Sequence, residues 1–124
     1  MRKIKVVFYQ DEKGMCPVLT WLRTIPPKAQ DKCRVKIERL AELGHELRRP
    51  EADLLGGKIY ELRASLSGVQ YRLLYFFHGS TAAVLASGII KEDQVPPTEI
   101  NRAIERKRKF ELNPIKHTYE GSTQ

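Results

Sequence analysis

The stretch KIYELRASLSGVQYRLLYFF, residues 58–77, decides the fold. Two runs rich in aliphatic and aromatic residues flank a Ser-Gly pair, which is the composition of two antiparallel strands joined by a tight turn. Each run nevertheless carries an arginine, Arg63 and Arg72. Placing LSGV (66–69) at the turn sets Arg63 directly across from Arg72 on one face of the sheet. Like charges in that position destabilise a hairpin unless something anionic lies between them.

Upstream, KIKVVFYQD (3–11) has a β-branched and aromatic centre and predicts a strand. CPVLTWLRTI (16–25) opens with Pro17 at a position suited to a first helical turn and predicts a short amphipathic helix. From Lys28 to Leu43 the apolar residues Ala29, Cys33, Ile37, Leu40 and Leu43 form a stripe of helical period, stopped by Gly44. Residues 44–57 are rich in turn formers and are expected to be irregular. Downstream, residues 82–91 predict one more strand after 58–64 and 69–78. A final helix capped by Thr98 follows, with Ile100, Ala103, Ile104 and Phe110 on its apolar side. The expected fold is therefore α+β. An N-terminal strand and two helices precede a three-stranded antiparallel meander, and a C-terminal helix packs on the single sheet. Residues 1–112 make one domain, as a chain of 124 residues ordinarily does, and 113–124 are expected as a loose tail.

No apolar run approaches the roughly 20 residues that span a bilayer. The apolar stretch near the start is too short for a signal peptide, so a cytoplasmic location is expected. Cys16 and Cys33 lack any C-x-x-C or nearby histidine cluster, so two small buried thiols are expected and no metal site. His45, His78 and His117 stand apart from one another and are taken as surface or loop residues. No Gly-rich phosphate loop or other cofactor motif is present, and no cofactor is expected.

The net charge is +7, which favours a polyanionic partner. Between Lys58 and Lys91 there are five charged side chains, and all but Glu61 are basic: Lys58, Arg63, Arg72 and Lys91. Sparse carboxylates make a phosphate-binding face attractive, because the guanidinium fork meets phosphate bidentately. The alternative is that each arginine pairs with a carboxylate such as Glu61 or a helix glutamate. In the final helix, Arg102, Arg106 and Lys109 fall on one side at i, i+4 and i+7, a basic stripe that would extend the face for RNA. Such a stripe also occurs as a merely solvated surface.

KIYELR, YRLLYFF, the strand ending in Lys91 and PPTEINRAIERKRKF together resemble the phage-derived HigB-like toxins of the RelE/ParE superfamily, over about residues 54–110. The resemblance implies a RelE-like toxin of a type II toxin–antitoxin system. Such a toxin cleaves mRNA on the ribosome without a metal, and a cognate helix-turn-helix antitoxin neutralises it. Arg63, Arg72, Lys91 and Arg106 match the basic positions of that family, although Glu92 stands where a second lysine is frequent. On this reading Arg63 and Arg72 clamp the scissile phosphate, and Lys91 and Arg106 hold the backbone or assist proton transfer. Tyr71 is a candidate acid or stacking platform, or else a core aromatic. Lys58, Arg102, Arg106 and Lys109 would bind RNA. Arg63→Ala and Arg72→Ala are expected to fold normally and lose toxicity. ParE-like relatives share the scaffold but inhibit DNA gyrase by binding, and a module that retains only antitoxin pairing is a third possibility.

Overall fold

The turn chemistry of the central hairpin fixes its register. In the computed structural model, which describes residues 3–80, 82–91 and 93–119, β3 (Ile59–Leu66) pairs with β4 (Val69–His78). Ser67 and Gly68 both take positive φ, 53° and 81°, in the two-residue turn between Leu66 and Val69. This geometry matches the twist of the flanking strands. Arg63 consequently lies opposite Arg72, as the turn placement requires.

The sheet has five strands in the order β1-β5-β4-β3-β2, with β1 (Lys5–Phe8), β2 (Ala52–Gly56) and β5 (Ala82–Ile90) completing it. β1 runs parallel to β5 and the other pairs are antiparallel. The expected three-stranded meander is thus a four-stranded one, because β2 forms inside the segment expected to be irregular. Asp53 and Gly56 have little intrinsic strand preference; pairing with β3 across the tight turn at Gly57 and Lys58 overrides it.

Helices cover both faces. α1 (Pro17–Leu22) and α2 (Pro27–Leu43) bury Val18, Leu19, Ala29, Cys33 and Leu40 against Leu62, Ala64, Tyr71, Leu73 and Leu85. α3 (Pro97–Leu112) lays Ala103 and Phe110 on Ile59, Leu74, Phe76 and Val84 of the other face. Both cysteines are free and buried, and burial pushes the Cys33 thiol up to about 11. No helix among the described residues is long and apolar enough to cross a membrane.

Beyond α3 a short turn of helix, α4 (Pro114–His117), returns the chain to β1. Gln10 N–H donates to the His117 carbonyl at 2.9 Å and Tyr119 N–H to the Phe8 carbonyl at 2.8 Å. His117 is not a surface residue. It is 4% exposed and stacked on Tyr9 at 5.2 Å, and its Nδ1 meets the Gln10 carbonyl at 2.8 Å. The remainder of the expected tail, residues 120–124, lies outside the described residues, as does Glu92.

Candidate functional site

Strand alternation puts Glu61 and Arg63 on the α3 face with Ile59, and Arg72 on the same face with Leu74 and Phe76. Two facing guanidinium groups would repel, and Glu61 resolves this. One of its oxygens accepts from Arg63 Nη2 at 2.7 Å and Nε at 3.1 Å; the other accepts from Arg72 Nη1 at 2.6 Å. The carboxylate is only 3% exposed, so it depends on both cations for its compensation. Arg72 is further held by the carbonyls of Lys91, at 2.9 Å from Nε, and Asp93, at 2.7 Å from Nη2.

The network continues outward. Asp53 on β2 accepts from Arg63 at 3.3 Å and from Arg49 at 3.0 Å. Charges of alternating sign therefore run across three strands: Arg49, Asp53, Arg63, Glu61, Arg72. They line a groove of about 1010 Å³ between the sheet and the start of α3, which Asp93 also borders. Among the described residues, three arginines face three carboxylates there, so the floor they form is balanced rather than cationic. Exposure separates the arginines: the Arg49 side chain is 77% exposed, that of Arg63 29% and that of Arg72 10%. An anion entering the groove meets Arg49 and Arg63, whereas Arg72 is committed to the fold.

The other expected site residues are distributed differently. Lys91 is exposed just beyond β5, its backbone N–H bonded to the Gln70 carbonyl at 3.2 Å. Tyr71 lies on the opposite face, buried with its ring 6.4 Å from Trp21, and does not join the arginines. It is the core aromatic of the two alternatives. Lys58 is exposed at the β2–β3 turn, five residues along the chain from Arg63.

The helix stripe is largely neutralised in place. Arg102 pairs with Glu99 and Lys109 with Glu12, each at 3.0 Å; Lys107 and Arg108 pair with Glu111 and Glu105. Arg106 leaves the stripe and turns inward. Its Nη1 donates to the Ala86 carbonyl at 2.8 Å and Ser87 Oγ at 2.7 Å, with its guanidinium over the Tyr9 ring. The cause is a bulge: Tyr75 faces Leu85 and Leu74 faces Ser87, so Ala86 has no cross-strand partner. Burial lowers the pKa of Arg106 below an arginine's usual value.

Glu61, named from the sequence as the alternative partner of the arginines, pairs with both of them, and it shares the face of Arg63 because it stands two residues before it. Asp53 and Arg49 were beyond sequence reasoning, because their place depends on β2. Residues 20–108 match the family described as "Phage derived protein Gp49-like (DUF891)". No curated protein matches the chain.

Proposed function

The chain belongs to the Gp49-like family of phage-derived proteins, and on that footing we propose that it is the toxin of a type II toxin–antitoxin pair. It is of the HigB-like kind within the RelE/ParE superfamily and cleaves mRNA on the ribosome, in the cytoplasm, without a metal. The observation that carries this reading is the groove beside α3 with Arg63 in its wall. In the reaction the RNA 2′-hydroxyl gives its proton to a base as its oxygen attacks the adjacent phosphorus, the 5′-oxygen leaves and takes up a proton from an acid, and cations over the phosphoryl oxygens lower the barrier. Arg63 and Arg49 supply that charge by loosening their hold on Asp53. Lys91, exposed beyond β5, holds the RNA backbone or moves a proton. Arg72 acts as a positioning residue: it fixes Glu61, and Glu61 fixes Arg63. A helix-turn-helix antitoxin is the expected partner.

One observation favours the second reading, a ParE-like toxin that inhibits gyrase by binding. No histidine or tyrosine is among the described residues lining the groove, and its most buried carboxylate, Glu61, is tied to two arginines. Induced expression with 5′-end mapping of cellular mRNA, wild type against Arg63→Ala, separates the two. New ends inside reading frames that the variant lacks are the expected result. Growth arrest without new ends overturns the nuclease reading, and a supercoiling assay then tests gyrase.

A further inference from the structure

A second cavity, of about 430 Å³, opens on the other face of the sheet edge, beside β2. Leu47, Leu54 and Tyr60 form its apolar walls, with Arg48, Arg49 and Asp53 around them. Leu54 is 56% exposed on an edge strand, a position where proteins ordinarily place a charge. The strand is nevertheless closed to backbone addition on its donor side. Ala52 N–H is bonded to the Arg48 carbonyl at 3.1 Å and Leu54 N–H to Asp53 Oδ1 at 3.0 Å. A partner must therefore enter through side chains.

The charges indicate which side chains. Arg48 and Arg49 are both exposed, and Asp53, the one carboxylate among the described residues of the lining, is divided between Arg49 and Arg63. An apolar anchor alone would leave the cavity's cationic rim unmatched, and a basic segment would be repelled. We propose that this cavity docks an acidic segment of a partner protein, inserting a leucine-like side chain between Leu47, Leu54 and Tyr60 with flanking carboxylates on Arg48 and Arg49. The cavity shares Arg49, Asp53 and Leu54 with the edge of the groove, whereas Leu47, Arg48, Ala52 and Tyr60 border the cavity and not the groove.

The test uses the full chain and two synthetic peptides of about eight residues, leucines flanked by glutamates and leucines flanked by lysines. Binding is followed by titration calorimetry and amide chemical shifts. The glutamate peptide is expected to bind roughly tenfold or more tightly than the lysine peptide and to shift the resonances of Leu47, Leu54 and Tyr60. Leu54→Asp and Arg48→Glu, both at exposed positions, should each weaken it by about the same factor while keeping a folded amide spectrum. No binding, equal binding of both peptides, or shifts centred on Arg63 and Gln94 would overturn the proposal. So would concentration-dependent self-association that Leu54→Asp abolishes, since the cavity would then belong to a second copy of the chain.

Discussion

Arg72 reaches Glu61 at 2.6 Å in a setting where the carboxylate is 3% exposed and the arginine side chain 10%. Such a pair contributes little net stability when intact, yet removing one partner strands a charge in the interior. Truncating Arg72 is therefore expected to disturb the fold, against the expectation that Arg72→Ala folds normally. Arg72→Leu should destabilise the protein by about 3–5 kcal/mol. Arg63→Leu, at a more exposed position, should cost about 1–2 kcal/mol. Pairing Arg72→Leu with Glu61→Leu should recover much of the loss, because no carboxylate is then left unpaired. Urea unfolding of the three variants measures this; an unchanged midpoint for Arg72→Leu would contradict the buried network.

Gly88 on β5 faces the ring of Trp21. A Cβ there would stand 2.3 Å from Trp21 Cδ2 and Cε3, closer than any contact can be, so the indole of α1 must move. Gly88→Ala should cost about 1–3 kcal/mol through overpacking. Trp21 is the sole tryptophan, so its emission reports the displacement directly. Unchanged emission and stability would show that α1 yields without strain.

The return of the chain through α4 makes Tyr9 a core residue at 1% exposure. Ending the chain after Asn113 removes the His117 stack and the bonds joining His117 to Gln10 and Tyr119 to Phe8. At roughly 1 kcal/mol net per bond, a loss of about 2–3 kcal/mol is expected. Thermal unfolding of the truncated chain tests it, and a wild-type midpoint would mean that the segment contributes nothing.

What the sequence made legible was local. The Ser-Gly turn sets the Arg63–Arg72 register by itself, and the α2 stripe follows from helical period alone; Ala29, Cys33 and Leu40 are indeed its buried face. What it hid depends on contacts distant in sequence. β2 exists because β3 pairs with it, and only then does Asp53 come within reach of Arg63. Arg106 looks like a member of a solvent stripe until the bulge at Ala86 supplies a buried acceptor. The surface pairs along α3 were equally hidden, since Glu12 meets Lys109 only after β1 and α3 are placed.

Glu51 ties α2 to the chain entering β2. Its carboxylate accepts from Arg39 at 2.8 Å and Lys36 at 3.0 Å, and its carbonyl accepts from Arg63 N–H at 2.8 Å. The Arg39 hydrogen bond, with Lys36 assisting, pulls its pKa from an ordinary glutamate's 4.5 to about 2 against some opposing desolvation. A depressed carboxyl pKa means that the unfolded chain binds the proton more tightly. The stabilisation is therefore complete above about pH 4.5 and is lost as pH falls toward about 2. With the side chain 20% exposed, a contribution on the order of 2 kcal/mol is expected at neutral pH. Urea unfolding of wild type and Glu51→Gln should show that gap near pH 7, narrowing steadily below about pH 4.5. A gap that stays constant down to about pH 2 would mean that Glu51 stabilises the β2 entrance through packing and not through its charge.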